Sequence, residues 1–269
     1  MYRIIACDLD ETLLNADRKV SEGNRAAIAK AREKGVKFVP ATGRGFKSVQ
    51  GTLEELGVLG AAGEYVISFN GGAITENCGN RLLAYKGLPF AKANELFKRG
   101  MEYDVCLHAY TVDTVYVFRE NESELDYVNG RMEITLSKEK TLDFLAGQEI
   151  VKVLFENTDA EYLRRIEREL KDITAEVDVS FSSNRYIEFN QKGVTKGAGL
   201  LELAALLKVK PEETIAIGDN FNDLPMIEAA GLGVGVRNVA EGMRHLCDVI
   251  TEARYDEDAV AEVIDKYVL

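Results

Sequence analysis

Two histidines, four cysteines and four prolines in 269 residues rule out several kinds of protein at once. With only His108 and His245 present, an imidazole-based triad or metal centre lacks parts. Cys7, Cys78, Cys106 and Cys247 are scattered and form no C-x-x-C pair, so neither a zinc site nor a disulfide framework is indicated. Cys7 falls inside an apolar run and reads as a small buried residue. The few prolines leave no Pro-rich linker, and there is no repeat or low-complexity tract. No segment reaches the roughly 18 apolar residues of a membrane span, and no basic n-region precedes an apolar stretch. A soluble, cytoplasmic chain is expected. Basic runs are missing too: 33 basic against 45 acidic side chains give a net charge of −12. That argues against nucleic acid as a partner. No G-x-G-x-x-G follows the first apolar run, which argues against a dinucleotide-binding module. No interface signature fixes an oligomeric state.

What the chain does have is a set of apolar runs that end in polar groups. Ile4-Ile5-Ala6-Cys7 leads directly into Asp8-Leu9-Asp10-Glu11-Thr12. A short apolar run bounded by polar residues reads as a buried strand. Burying unpaired carboxylates costs several kcal/mol, so Asp8 and Asp10 should sit at the strand's mouth beside a charge partner. Two acids facing one small space suit a metal ion, or a nucleophile beside a general acid/base. By itself D-x-D is also compatible with a solvated acidic loop.

Three later segments repeat the pattern. Val36 to Ala41 ends in Thr42 and Gly43, a hydroxyl donor and a residue that lets backbone N–H groups approach a ligand closely. An ordinary helix cap at Thr42 would look the same. Lys196 falls in the first turn of an amphipathic stretch, where the helix dipole disfavours a cation unless an anion is bound there. Thr214 to Gly218 ends in Asp219, with Asp223 four residues on, an oxygen-ligand spacing that suits magnesium. A capping Asp223 after a turn is the alternative. Each candidate follows an apolar strand or opens a helix. In open parallel α/β sheets, ligands bind outside the carboxyl ends of the strands.

The organisation agrees. Up to about residue 82 the chain alternates strand and helix. Strand 4–9 precedes a helix over 21–34, with Ser21 as cap, Ala26, Ile28, Ala29 and Ala31 on its buried face, and Gly35 at its end. A strand over 36–41, a helix near 45–56 and a strand over 65–69 complete a βαβαβ pattern, which implies a parallel sheet. From 83 to 187 the character changes to hairpins mixed with helices. Strands are expected at Cys106 to Thr111, Thr114 to Arg119, Ile150 to Glu156, Glu176 to Phe181 and Arg185 to Phe189, with a helix over Ala160 to Leu170. Turns are expected at Val112-Asp113 and Ser182-Ser183-Asn184. From 188 to 269 the α/β alternation returns, with strands at 214–218, 232–236 and 248–250. The expected fold is α/β: a Rossmann-like parallel-sheet core, 1–82 and 188–269, with an inserted α+β domain, 83–187.

Taken together, D-L-D-E-T at Asp8 to Thr12, A-T-G-R at Ala41 to Arg44, V-T-K-G at Val194 to Gly197 and G-D-N-F-N-D at Gly218 to Asp223 resemble the haloacid dehalogenase-like phosphatases of the Cof-type subgroup. F-N-G-G at Phe69 to Gly72 matches a loop that the subgroup places near the substrate. The resemblance implies an inserted cap between the second and third motifs. It also implies a magnesium-dependent phosphatase of small phosphorylated metabolites, such as sugar phosphates or phosphorylated cofactors, working through an aspartyl-phosphate. Carried over residue by residue, Asp8 becomes the nucleophile and Asp10 the general acid/base. Magnesium is expected on the Asp8 side chain, the Asp10 backbone carbonyl and Asp219. Leu9, Thr42, Gly43, Lys196 and Asn222 are expected to bind the phosphate. Thr12, Asn220 and Asp223 are expected to support the metal ligands from behind or through water, and Asn70 and Gly71 to form the substrate loop. Substrate choice falls to the cap, where Tyr103, His108, Tyr110, Tyr116 and Arg185 are candidates, although aromatics on strands more often pack the sheet and His108 reads as a satisfied, partly buried histidine. The acidic bulk field repels a phosphorylated substrate, so local cations must overcome it. The chain departs from the usual pattern at Val236-Arg237-Asn238-Val239, where relatives often read M-x-N-A, and at Ala259, where many have glycine. A phosphotransferase or phosphomutase on the same fold, or a non-catalytic phosphometabolite sensor, remains an alternative at this point.

Overall fold

A computed structural model describes residues 1–269. It comprises two compact units, Met1–Tyr85 with Thr195–Leu269, and Lys86–Val194. In chain order the first unit opens with β1 (Ile4–Cys7), α1 (Glu22–Glu33), β2 (Lys37–Pro40), α2 (Gln50–Glu55), β3 (Tyr65–Ser68), β4 (Ala73–Glu76) and β5 (Arg81–Tyr85). The second unit contains α3 (Phe90–Gly100), β6 (Cys106–Thr111), β7 (Val115–Phe118), α4 (Glu122–Val128) and β8 (Thr135–Ser137). It continues with β9 (Ile150–Glu156), α5 (Ala160–Glu169), β10 (Val177–Ser182) and β11 (Tyr186–Gln191). The first unit then resumes with α6 (Lys196–Leu206), β12 (Thr214–Gly218), α7 (Leu224–Ala229), β13 (Leu232–Gly235), β14 (Val249–Ile250) and α8 (Ala259–Tyr267).

The first unit is built on a five-stranded parallel sheet in the order β14-β13-β12-β1-β2. Strands buried on both faces read as continuous apolar runs, and β1 is such a strand. Ile5 and Cys7 join the cluster that includes Ala27 and Ile28 of α1 and Val260 and Val263 of α8. Ile4 and Ala6 join the opposite one, with Leu200 and Leu203 of α6. Because β1 is central, whatever follows it lands in the middle of the sheet's carboxyl edge.

In the first unit, two details differ from the expectation. Ser21 does cap α1, accepting from the Asn24 N–H, but the buried face is Asn24, Ala27, Ile28 and Ala31. Ala26 and Ala29 are exposed. The spacing is the expected i, i+3, i+4, i+7, rotated because Asn24 is drawn inward: its Oδ1 accepts the Ala261 N–H at 2.8 Å. The strand expected to continue the parallel sheet at 65–69 instead joins β4 and β5 in a three-stranded antiparallel sheet. Its parallel link to the main sheet is a single bridge, Ala41 to Ile67. Phe69 leaves the strand with φ 54°, and Asn70 follows with φ 55°.

The second unit has a six-stranded sheet, β10-β11-β9-β6-β7-β8. It begins at Lys86 rather than 83, because β5 pairs with β4, and ends at Val194 rather than 187, because β11 pairs with β10 as far as Gln191. The β10–β11 turn has Ser183 and Asn184 at φ 53° and 51°, the two left-handed residues of a tight hairpin that matches strand twist. Alternation divides the sheet's faces. Leu107, Val153, Phe155, Ile187 and Phe189 share an apolar cluster with Leu96 and Phe97 of α3 and Leu163 and Ile166 of α5. His108, Lys152, Glu156 and Glu188 occupy the alternate positions and are also buried. His108 is fully buried rather than partly so.

Candidate active site

Asp8 is the first residue beyond β1, and its N–H still donates to the Ile217 carbonyl of β12 at 2.9 Å. This bond ties the residue to the sheet edge, so its carboxylate is fixed by the ladder and not by a loop. The next turn is equally constrained: the Leu9 carbonyl accepts from Leu13 and Leu14 at 3.1 and 2.8 Å. That turn delivers Thr12, whose hydroxyl donates to Asp219 Oδ1 at 2.9 Å.

Lys196 enters from α6. Thr195 caps that helix by accepting from the Ala198 N–H. A Cβ at Gly197 would come within 2.1 Å of the Pro225 carbonyl, so glycine lets α6 lie against the start of α7. The fully buried Lys196 ammonium then donates to Asp8 Oδ1 at 2.5 Å and Asp223 Oδ1 at 2.6 Å. Asp223 is held from behind, its Oδ2 accepting the N–H groups of Asp219 and Asn220 at 3.0 and 3.1 Å. The lysine that the helix dipole disfavours thus has two anionic partners.

Oxygens of Asp8, Asp219 and Asp223 lie within 4.8 Å of one another. Three carboxylates therefore share one ammonium in a desolvated space. Burial pushes the Asp8 carboxyl up to about 7 against the pull of Lys196. Burial, with Asp8 and Asp223 adding to it, pushes Asp219 up to about 8. Burial alone would lower Lys196, but Asp223 and Asp8 outweigh it and raise it. Surplus negative charge among hard oxygen donors is the setting in which a divalent cation such as magnesium is held. The residues present fit that ion.

A second group lies beside the first. Thr42 follows β2, is buried, and has its N–H tied to the Ile67 carbonyl at 2.9 Å. Its Oγ1 accepts the Arg44 N–H at 3.1 Å, which leaves the hydroxyl proton to donate elsewhere. The Thr42 carbonyl accepts the Asn70 N–H at 2.9 Å, and Asn70 Oδ1 accepts from Asn222 Nδ2 at 3.4 Å. A Cβ at Gly71, φ 98°, would meet the Thr195 carbonyl at 2.1 Å, so this loop packs directly on the cap of α6. The loops after β2, β3 and β12 and the start of α6 converge on one edge, as open α/β sheets arrange their ligand sites.

With this geometry in place, the comparisons with known proteins are decisive: residues 5–264 match the model of the haloacid dehalogenase-like hydrolase family. The chain belongs to that family. The Bacillus subtilis protein YxeH, which carries a phosphatase designation, is 31% identical over 100% of this chain and 99% of its own. The 5-amino-6-(5-phospho-D-ribitylamino)uracil phosphatase YcsE of the same organism is 29% identical over 99% of this chain and 96% of its own. Among solved structures, a Thermotoga maritima protein superposes with a TM-score of 0.87 at 26% identity, covering 100% of this chain and 98% of that one.

In this haloacid dehalogenase-like hydrolase the residues singled out from sequence do not all meet in one place. Asp8, Thr12, Lys196, Asp219 and Asp223 form one hydrogen-bonded cluster. Thr42, Gly43, Asn70 and Asn222 line up beside it, with Asn70 packed close to Gly43. Asn220 is exposed, and its Oδ1 accepts the Phe221 N–H at 2.8 Å. Asp10 is half exposed and pairs with Arg44 Nη2. Sequence reasoning did not assign Arg44 a role. The one available signal was its place in A-T-G-R. The departing residue Arg237 donates to the Glu252 carbonyl at 3.2 Å.

Proposed function

We propose that this hydrolase is a magnesium-dependent phosphatase of small phosphorylated metabolites that works through an aspartyl-phosphate on Asp8. The observation that carries the reading is Lys196 bridging Asp8 and Asp223 beside Asp219 at the carboxyl edge of the sheet. Relatives designated for a phosphoribityl pyrimidine and for HMP-PP support phosphorylated metabolites as the substrate class. Lys86–Val194 is then the inserted cap domain.

Asp8, Asp219 and the Asp10 backbone carbonyl would hold the ion, with Thr12 and Asp223 fixing the acids and Asn220 contributing through water. When bound, magnesium supplies charge screening between an anionic nucleophile and an anionic phosphoryl group. The remaining work belongs to the chain. Thr42, the N–H groups of Gly43 and Leu9, Lys196 and Asn222 bind phosphoryl oxygens, with Asn70 and Gly71 bordering the substrate. Such positioning and neutralisation account for most catalysis of phosphoryl transfer. The Asp8 carboxylate forms a bond to phosphorus as the phosphorus–oxygen bond to the alcohol breaks. The departing oxygen keeps the electron pair and takes a proton from Asp10. Water then attacks phosphorus and gives a proton to Asp10, and the bond to Asp8 breaks, releasing phosphate and the carboxylate.

The test is phosphate release from a panel of phosphorylated metabolites, with magnesium and with chelator, for wild type and Asp8→Asn. Magnesium-dependent release that Asp8→Asn abolishes is the expected result. Release that survives the substitution would reject the mechanism. Consumption of the donor only when an alcohol acceptor is supplied, giving a phosphorylated alcohol and no free phosphate, would favour phosphoryl transfer over hydrolysis.

A further inference from the structure

Asp10 lies outside the Lys196 cluster. Its carboxylate oxygen Oδ1 faces Arg44 Nη2, and the side chains are 52% and 21% exposed. An ion pair that open to solvent contributes little to stability, so stability gives no reason for it. Its anchoring points elsewhere. The Arg44 N–H donates to Thr42 Oγ1 at 3.1 Å, and its carbonyl accepts the Phe69 N–H at 3.0 Å. Phe69 is itself buried, its ring lying where a Cβ on Gly45 would come within 2.7 Å. The backbone that carries the guanidinium is therefore pinned on both sides by the two loops of the site.

The Asp10 main chain is pinned as well. It sits in the turn closed by the Leu9 carbonyl, with Glu11 next to it at φ 58°. What this turn leaves undetermined is the rotation of the half-exposed carboxyl. The Arg44 contact supplies that constraint and occupies only Oδ1.

We infer that Arg44 is the positioning residue for Asp10, holding Oδ1 so that Oδ2 is the atom that passes the proton to and from the substrate oxygen. This rests on the phosphatase reading above, in which Asp10 protonates the leaving alcohol. Arg44 touches neither proton nor phosphorus in this scheme and acts through Asp10 alone.

A positioned acid matters in proportion to how poor the leaving group is. The measurement is kcat/KM, which reports the steps through alcohol departure, for phenyl phosphate and 4-nitrophenyl phosphate. Phenol needs the proton and nitrophenol much less. Arg44→Ala should lower kcat/KM about 10- to 100-fold for phenyl phosphate, part of the roughly 10²–10⁴-fold worth of a general acid, and about threefold or less for the nitrophenyl ester. Inhibition by inorganic phosphate should be unchanged, and Arg44→Lys should recover part of the loss. In the Asp10→Asn background, Arg44→Ala should cost nothing further, since residues that act as a unit are not additive. If Arg44→Ala does not fold, Arg44→Met keeps the apolar stem and serves instead.

Equal losses on both esters with weaker phosphate inhibition would overturn the inference and make Arg44 a direct phosphate ligand. No loss on either would make the pair an idle surface contact and overturn it too. In both cases the phosphatase reading survives as long as Asp8→Asn abolishes magnesium-dependent release. If wild type shows no such release, that reading fails first.

Discussion

Each unit of this hydrolase buries a cluster of carboxylates and cations, and the two are balanced differently. In the first unit three carboxylates, Asp8, Asp219 and Asp223, share Lys196. Burial drives Asp8 to about 7 and Asp219 to about 8. In the second unit positive charge is better supplied: Lys152 and Arg185 face three buried acids. Lys152 pairs with Glu188, which also accepts from the Ser182 hydroxyl. Arg185 reaches Glu124 and Glu156, both at 2.9 Å, with His108 Nε2 3.2 Å from Glu124. Tyr186 and Asn121 add hydrogen bonds to the same two acids at 2.7 and 2.8 Å. Burial would raise Glu188, yet Lys152 and Ser182 hold its carboxyl below the usual range. A buried acid held low, as Glu188 is, already has the positive charge it needs. Acids left raised, as Asp8 and Asp219 are, are short of positive charge, which marks their surroundings as a place to bind something.

The comparison breaks most decisively through activity. Asp8→Asn should cost roughly 10⁴-fold or more in turnover while the protein remains folded, measured by phosphate release beside a urea melt. Next comes stability in the second unit. Lys152→Met leaves Glu188 buried without its cation and should cost about 3–5 kcal/mol in denaturant unfolding. Magnesium should sharpen the contrast. At about 100 times its dissociation constant it should stabilise wild type by about 2.7 kcal/mol, and Asp219→Asn should lose most of that gain. Asp219→Asn should also do what no second-unit substitution does. In chelator it should raise stability by about 0.5–2 kcal/mol, the range for relieving a strained functional site.

How much of this the sequence showed follows from which interactions it could encode locally. Asp8, Lys196 and Asp219 were legible because each sits at a strand end or helix start, and topology alone brings such positions together. The pairing of Arg44 with Asp10 was not, since it joins turns after two different strands. The rotated face of α1 escaped because alanine fits either side of a helix, and what decides is the bond from Asn24 to Ala261, far along the chain. The β3–β5 sheet escaped because strands of four or five residues carry little alternation. The second-unit cluster was least visible. In sequence Glu124 and Glu156 look like solvated acids. Glu124 is buried where α4 brings it over His108 and Arg185, and Glu156, on β9, where it meets Arg185 and Asn121.

The smallest effect separates the clusters by pH. Glu188 has a folded-state pKa below its ordinary value of 4.5. A depressed carboxyl contributes stability that is fully present above the unfolded pKa and is lost as pH falls through the folded one. Glu188→Gln should therefore be less stable than wild type at pH 7, and the gap should narrow as pH drops below about 4.5. Urea unfolding of both proteins at intervals from pH 7 to pH 3 measures it. A gap that stays constant across the range would show that Glu188 titrates as it does in the unfolded chain, and the claim that Lys152 and Ser182 hold its carboxyl down would fail with it.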